Sequence, residues 1–424
     1  MTVVRTRYGL LDGRPGPTGV AFLGVPYAAP PIGARRFQPP APAQPWRGTR
    51  AATSFAPSAP QPGSVRAQLV LGPSAPSAED CLYLNVWTPS VAVATARPVL
   101  VWLHGGAFTN GSGDVPALRG ANLARAADAV VVTVNYRLGP LGFAWHPELR
   151  APANLGLLDQ RAAVAWVAEN IAAFGGDPRR VTLGGDSAGA MAAALHAGGP
   201  DGGDAFAQLT LHSGVPTLLD PEETADRTAQ LAARLGGTVD DLHGAPAADL
   251  VRATTSLGPN GRFGPTVGQD WPGEPAAVGR PRPTIVNTTA NEGSFLLVEQ
   301  DAPPRTCDPE VVDKLTRQLF TEPADRWADR AAHAGSPVWR TVYDRPSTLW
   351  HGWLGATHTL DVPVLFGTHR HPALARLYAG DPGIDAVSRD RQRTWAAFLH
   401  DGAPTSAEGS PWPRWPAPLT TNWR

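Results

Sequence analysis

The sequence predicts an α/β fold with a mostly parallel central sheet and helices on both of its faces. One observation is the unbroken apolar run RPVLVWL at residues 97–103, which is typical of a central strand covered on both sides. A second is the similar run AVVVTV at 129–134, which a helical pattern at 156–174 follows. A third is the stretch 180–197, where a short strand-like run turns into a helix. The order strand, helix, strand, helix is the repeat of a doubly wound parallel sheet.

Composition fits a globular enzyme with a large core. The chain has 424 residues, of which 42% are hydrophobic, and its 36 basic and 37 acidic side chains leave a net charge of −1. This balance argues against nucleic acid or an anionic membrane as the main partner. Length alone suggests about three domains, but single α/β enzymes of this size are common. We therefore expect a single domain that spans residues 1–424.

The N-terminal residues and the cysteine count both argue against export. The first residues, MTVVRTRYGL, lack the apolar core of a signal peptide, and no apolar run approaches the ~18 residues of a membrane span. The two cysteines, Cys81 and Cys307, are too few for a disulfide framework. We expect a cytoplasmic bacterial enzyme.

The rest of the chain divides around this predicted sheet. Residues 1–61 carry short strand-like pieces between glycine and proline turns, and residues 62–78 have the composition of a polar loop. Helical stretches at 215–280 and at about 298–335 fit cap-like insertions better than core repeats. Further strands are predicted from Glu79 (EDCLYLNVW) and at 207–212, 284–288 and 338–343, the last clear strand, with a C-terminal helix at 385–400.

The motif Gly185-Asp186-Ser187-Ala188-Gly189 lies where the third predicted strand turns into its helix. A serine held in such a tight, strained turn has its hydroxyl lifted clear of the sheet. The N–H of Ala188 and the positive end of the helix then point where a substrate carbonyl oxygen would gain negative charge. The motif favours a nucleophilic Ser187, and the alternative is a glycine-rich turn that holds a helix cap.

The loop His104-Gly105-Gly106-Ala107-Phe108 directly follows the first buried strand. Consecutive small residues at such a position expose backbone N–H groups, and loops of this type supply the other half of an oxyanion hole. The alternative is an ordinary glycine turn with His104 as a hydrogen-bonded core histidine. Together with the serine motif, the catalytic interpretation is favoured.

A nucleophilic serine needs a base and an acid, which in this architecture follow it in the order acid, histidine, each after a strand. Glu292, after the strand at 284–288, is the best placed carboxylate. The order of residues along the chain does not decide which histidine is the base. The other acids considered, which fall in cap-like helices, are Asp220, Glu222, Glu223, Asp240 and Asp241, and the histidines are His351, His358, His369, His371 and, least favoured, His400.

Several motifs in the same order closely resemble the type B carboxylesterase family, which includes bacterial p-nitrobenzyl esterases and the cholinesterases. The resemblance runs from about residue 4 to residue 416 and is densest up to Ser213. It implies an α/β-hydrolase fold and a serine hydrolase that requires no metal or organic cofactor. The segments that carry it, besides the serine motif, are VAFLGVPYAAPPIGARRF, EDCLYLNVWTP, HGGAF, NYRLGPLGF, NLGLLDQ and FGGDP.

The resemblance also implies a set of site residues. NEGSF is similar to the family's glutamate segment and GATHTLDVPVLFG to its histidine segment, which places the two catalytic partners at Glu292 and His358. His351 then becomes a nearby loop residue and Asp361 a structural one. The implied oxyanion donors are the N–H groups of Gly106, Ala107 and Ala188, and the implied supporting residues behind the triad are Asp186 and Ser213.

The chain departs from the family pattern at several positions. Asp186 stands where relatives usually carry glutamate, Ala190 replaces a usual glycine, and Asn291 stands where aspartate is common. Ala59 occupies the position of the cysteine that pairs, in secreted relatives, with the one in EDCL, so Cys81 lacks its partner and a reducing compartment is favoured. The chain is also shorter than typical relatives, which implies a reduced helical cap and a more open gorge.

The sequence thus predicts a serine carboxylic-ester hydrolase that acts on small-molecule esters through an acyl-serine. One alternative is a natural-product acyltransferase, thioesterase or cyclase with the same triad. Another is a non-catalytic adhesion scaffold, as in the neuroligins, which lack the serine. The sequence does not predict acyl length, alcohol, stereochemical preference or oligomeric state.

Overall fold

A computed structural model gives the fold of the chain. It describes residues 2–92, 94–199, 203–258, 262–268, 270, 271, 273, 279–299, 308–417 and 419–421. Cys307 and parts of the two predicted insertions lie outside these residues. Within the described residues, no helix is long and apolar enough to cross a membrane.

The strands form one large mixed sheet. Their bounds are β1 Thr2–Thr6, β2 Gly9–Gly16, β3 Gly19–Pro26, β4 Thr49–Ala52, β5 Tyr83–Thr88, β6 Arg97–Leu103, β7 Val130–Val134, β8 Gly176–Asp186, β9 Gln208–His212, β10 Thr284–Thr289, β11 Val338–Tyr343 and β12 Leu419–Thr421. The order across the sheet is β1-β2-β3-β5-β7-β6-β8-β9-β10-β11-β12, and β4 pairs with β2. Along the path β1-β2-β3-β5-β7 every pair is antiparallel, whereas β4 pairs with β2 in parallel. From β7 to β12 every pair is parallel, as the buried apolar runs predict.

The helices have the bounds α1 Val65–Leu71, α2 Ala121–Ala126, α3 Gly139–Phe143, α4 Leu155–Asn170, α5 Ala188–Ala197, α6 Pro221–Arg234, α7 Ala247–Ser256, α8 Pro309–Thr316, α9 Glu322–His333, α10 Asp361–Phe366 and α11 Ile384–Asp401. A π-helical turn, Arg317–Thr321, joins α8 to α9. The helices α6 and α7 fall in the first predicted insertion, and α8 and α9 fall in the second. The division of the chain into one domain with two insertions stays a prediction.

Alternation along the central strands creates a core on each face of the sheet. In β6, Val99 and Val101 belong to one apolar cluster, whereas Leu100 and Trp102 belong to the other. Successive strand residues point to opposite faces, so a run with no polar residue must be covered on both sides. Helices α4 and α5 supply the first cluster, and α2, α10 and α11 supply the second.

Several predicted elements differ from the structure. Residues 62–78, predicted as a polar loop, contain α1, and the strand predicted from Glu79 begins at Tyr83. Three further differences have local reasons. The helix predicted at 156–174 ends as an α-helix at Asn170, and residues 171–174 form a 3-10 turn that Gly175 closes with φ of 82°. The strand-like run at 181–183 is the centre of the longer β8. The last strand is β12 rather than β11, which a propensity pattern misses because its three residues gain order by pairing with β11.

Candidate active site

Ser187 occupies the sharp turn between β8 and α5. Its φ of 52° and ψ of −120° are strained for a residue with a side chain, and such strain is typical of a nucleophile elbow. The turn is tight because neighbouring glycines allow backbone contact, and a Cβ at Gly189 would collide with the carbonyl oxygen of Leu103. The Ser187 N–H donates to the carbonyl of His212 at 2.7 Å. The side chain is partly exposed at the carboxyl edge of the sheet.

The loop after β6 lies against this turn. A Cβ built on Gly105 would be 3.1 Å from Cβ of Ser187. The next residues, Gly106 and Ala107, have φ of 112° and 54°. The carbonyl oxygen of Gly106 accepts the N–H groups of Thr109 and Asn110, each at 3.0 Å. Since the C=O and N–H of a trans peptide point in opposite directions, the N–H of Ala107 is turned away from these contacts.

The amides of the predicted oxyanion hole are available to a ligand. Within the described part of the chain, the N–H groups of Gly106, Ala107 and Ala188 donate to no protein acceptor. Ala188 is the first residue of α5, where an N–H has no partner in its own helix. The positive end of the α5 dipole adds to the same place.

Glu292 and His358 meet beside the elbow. Glu292 follows β10 in a 3-10 turn, and His358 lies in the loop before α10. The imidazole Nδ1 is 2.5 Å from Glu292 Oε2, and Oε1 of the same carboxylate accepts the Thr289 N–H at 2.7 Å. Both side chains are buried, with 0% and 4% of Glu292 and His358 exposed. The contact directs the Nδ1 hydrogen to the carboxylate and leaves Nε2 as the atom able to accept a proton.

The second hydrogen bond of the predicted triad, between Ser187 and His358, is not formed in this structure. The hydroxyl of Ser187 has no hydrogen-bond partner among the described residues, so its bond to His358 stays a prediction. Burial raises the pKa of Asp186, the residue next to Ser187, and His358 is close enough to oppose part of this rise. In unliganded hydrolases this bond is often long and tightens when substrate binds.

Three of the other candidate histidines are engaged elsewhere, and Nδ1 of one of them, His371, accepts the Ala373 N–H at 3.2 Å. His369 pairs with Asp385 at 2.8 Å, and Nε2 of His400 contacts the Ala127 carbonyl at 2.9 Å. His351 lies in a 3-10 turn with φ of 56°. Among the alternative acids, Asp220 caps the N-terminus of α6. Glu292 with His358 is a contacting pair in which the acid precedes the histidine along the chain, as the predicted order requires.

Asp186 lies behind the nucleophile and is fully buried. Its Oδ1 accepts the indole N–H of Trp102 at 2.9 Å. Burial raises the pKa of Asp186 to about 6, although the bond from Trp102 opposes this rise.

Ser213, the other predicted supporting residue, does not contact Glu292 through its hydroxyl in the described structure. Its Oγ is buried without a partner there, and its N–H donates to the carbonyl of Asn287 at 2.8 Å. The backbone of Thr289, not a serine side chain, holds the free oxygen of Glu292. A supporting role for Ser213 stays a prediction.

Asp361 lies at the centre of a buried polar cluster. The sequence indicates a structural role for Asp361 but does not indicate the other members of the cluster. Oδ2 of Asp361 accepts bonds from Nδ1 of His212 at 2.7 Å, Nδ2 of Asn287 at 3.0 Å and Nη2 of Arg391 at 3.0 Å. The four side chains come from β9, β10, α10 and α11. They tie together the ends of the strands that precede the predicted site loops.

Two phenylalanine rings flank the imidazole of His358. The ring centroids of Phe295 and Phe320 lie 5.2 Å and 4.9 Å from it. Phe295 belongs to the turn that carries Glu292, and Phe320 belongs to the π-helical turn between α8 and α9. No sequence signal identified Phe320, because the position of a side chain in an insertion depends on how that insertion packs.

Comparison with known proteins decides the family. The family model described as the carboxylesterase family matches residues 1–306 and 296–422. The chain is 33% identical to the para-nitrobenzyl esterase of Bacillus subtilis, with 97% of this chain and 92% of the relative covered. The chain belongs to the carboxylesterase family.

Other relatives agree with this assignment. The cholinesterase of Mus musculus is 30% identical to this carboxylesterase, with 97% of this chain and 81% of the relative covered. The crystal structure of carboxylesterase EST55 of Geobacillus stearothermophilus superposes with a TM-score of 0.86 at 33% identity, covering 98% of this chain and 94% of that one. The fold of this carboxylesterase is therefore the α/β-hydrolase fold, as the sequence predicts.

Proposed function

We propose that this carboxylesterase hydrolyses small-molecule esters through an acyl-serine intermediate on Ser187, with His358 as general base and Glu292 as its orienting acid. The observation that carries the proposal is the 2.5 Å contact between Glu292 and His358, on two loops at the same sheet edge as the strained Ser187. A carboxylate on Nδ1 fixes the imidazole so that Nε2 accepts the serine proton.

The reaction follows the established serine-hydrolase sequence. Ser187 Oγ attacks the ester carbonyl while His358 takes its proton, and the negative oxygen that forms is held by the amides of Gly106, Ala107 and Ala188. Each such donor contributes on the order of 10²–10³ in rate. His358 then protonates the leaving alcohol, and it activates the water that releases the acid from Ser187.

The relatives do not indicate which acyl group and which alcohol the substrate of this enzyme contains. One is named for para-nitrobenzyl esters and another for choline esters, although both share about a third of their residues with this chain. The hydrolase names of these relatives do not favour acyl transfer or a non-catalytic adhesion role. We also place the enzyme in a bacterial cytoplasm, because Cys81 is a buried free thiol of the kind that a reducing compartment preserves.

A fluorophosphonate probe tests the nucleophile directly. The folded enzyme is expected to be labelled at Ser187 and to hydrolyse p-nitrophenyl esters, with kcat falling about 10⁴- to 10⁶-fold in Ser187→Ala. Ser388→Ala, which removes a buried serine hydroxyl that donates to the Val364 carbonyl and has no part in the proposed mechanism, is the matched control. Labelling that persists in Ser187→Ala, or its absence from the folded wild type, refutes the proposal.

A further inference from the structure

The imidazole of His104 holds one peptide group of the loop that follows β6. Its Nδ1 lies 2.7 Å from the carbonyl oxygen of Gly105. A carbonyl oxygen only accepts hydrogen bonds, so Nδ1 carries the hydrogen. The ring is buried, with 1% of the residue exposed, and burial lowers the pKa of His104 to about 4. At neutral pH the ring is therefore uncharged and protonated on Nδ1.

The ring is also fixed in orientation. It stacks on Tyr136 with 4.3 Å between centroids and 11° between planes. The hydroxyl of Tyr136 donates to the main-chain carbonyl of His104 at 2.7 Å. One neighbour thus holds both the backbone and the side chain of His104, and rotation that breaks the Nδ1 contact would also lose the stacking.

The space around this contact is closed by Gly111. A Cβ at Gly111 would collide with the Gly105 carbonyl oxygen and lie 2.5 Å from Nδ1 of His104. The φ of Gly111 is 108°, which side chains disfavour. Gln61 holds Gly111 from the other side, since its Oε1 accepts the Gly111 N–H at 2.8 Å and its Nε2 donates to the Gly111 carbonyl at 2.9 Å.

The consequence lies on the other side of the peptide bond. The planar trans peptide between Gly105 and Gly106 has its C=O and N–H antiparallel, so a fixed carbonyl also fixes the direction of the Gly106 N–H. The following peptide is fixed in the same manner, by the backbone N–H groups of Thr109 and Asn110 and by the Thr109 hydroxyl on the Gly106 carbonyl. The Gly105 carbonyl is held by the His104 ring instead.

We propose that His104 is a positioning residue for ester hydrolysis: by binding the Gly105 carbonyl through Nδ1–H, it aims the Gly106 N–H at the oxygen that becomes negative. This inference rests on the proposed function of Ser187 and the loop. A histidine that only fills the core would be replaceable by any ring of similar size.

His104→Phe separates these two roles, because it keeps a ring against Tyr136 and removes the donor. We expect kcat for p-nitrophenyl acetate to fall about 10- to 100-fold with KM within about twofold, less than the loss of a whole oxyanion donor. A trifluoromethyl ketone adds to the serine hydroxyl, and its own carbonyl oxygen then becomes the negative oxygen. The affinity of the enzyme for this ketone should fall by a similar factor. His196→Phe, at a buried histidine that contacts Gln160, is the matched control and should leave kcat within twofold.

Two results would overturn the inference. The first is a His104→Phe enzyme with wild-type kcat, whether or not its KM and its affinity for the ketone change. The second, which needs no variant, is a ¹⁵N NMR spectrum of the wild type at pH 7 with the His104 proton on Nε2. If the wild type itself resists a fluorophosphonate, the proposed function fails instead, and the NMR result still decides the hydrogen bond of His104.

Discussion

Asn291 and Ala356 exchange two hydrogen bonds across the loops that carry Glu292 and His358. The N–H of Asn291 donates to the Ala356 carbonyl, and the N–H of Ala356 donates to Oδ1 of Asn291, each at 2.9 Å. Gly355 makes room for this pairing, since a Cβ there would collide with Oδ1 of Asn291. The distance between acid and histidine is therefore set by their neighbours as well as by their own contact.

Replacing Asn291 by leucine is expected to loosen this connection. The buried N–H of Ala356 would lose its acceptor, at roughly 1–3 kcal/mol. We expect a lower Tm and a fall of about tenfold in kcat. A misplaced His358 would raise the activation free energy, and a rise of about 1.4 kcal/mol lowers the rate tenfold. Asn291→Asp keeps the acceptor oxygen and serves as the control. Equal activity of both variants would show that the pairing does not position His358.

Glu292→Gln tests how the imidazole is oriented. An amide N–H₂ facing Nδ1 favours the wrong tautomer, with the hydrogen on Nε2, and we expect kcat to fall about 10³- to 10⁴-fold. Glu292→Asp keeps the negative charge but, with its shorter side chain, holds it farther from Nδ1 of His358. This variant should retain more activity than Glu292→Gln. Steady-state kinetics with p-nitrophenyl butyrate measures both. A Gln variant that is as active as Asp would contradict the assigned role of the carboxylate.

Asp186→Asn is expected to stabilise the enzyme in a pH-dependent manner. The folded pKa of about 6 lies above the ordinary 3.8, so the folded state binds more protons between these values and stability declines as pH rises through this window. The buried charge then costs up to roughly 3 kcal/mol above pH 6, at 1.36 kcal/mol per unit. Removing it should raise the free energy of unfolding at pH 8.

Urea unfolding at pH 8 and pH 5 measures this effect. The gain from Asp186→Asn should be smaller at pH 5, where the wild-type carboxyl group is mostly neutral when folded. Asp226→Asn, on the exposed face of α6, is the control and should leave the difference between the two pH values unchanged. A gain of the same size at both pH values would mean that burial of the charge is not its cause.

The sequence predicts the parts of this enzyme whose determinants are local. The bounds of β6, α5 and β11 agree with their predicted ranges because apolar runs or glycines mark their ends. The turn at Ser187 is predictable for the same reason, since its glycines and its flanking strand and helix are contiguous in sequence.

Contacts between distant segments were beyond such reasoning. His212 and Asp361 are 149 residues apart, and no periodicity links a histidine on β9 to the start of α10. The order of acid and histidine after the serine left five histidines open, and only the family resemblance chose His358. Packing of the loops, which places one imidazole against Glu292, is a tertiary property.

Phe320→Ala is expected to change which alcohols the esterase releases. In the proposed mechanism His358 protonates the leaving alcohol, so a ring 4.9 Å from the imidazole centroid is expected to border that side of the substrate. Removing the ring opens space there, and kcat/KM should rise severalfold for esters of branched alcohols relative to ethyl esters of the same acid. Leu319→Ala, next to it on the π-helical turn with 52% of the residue exposed, is the control and should leave this ratio unchanged. A shift in acyl-chain preference instead, at constant alcohol preference, would place Phe320 on the acyl side of the site.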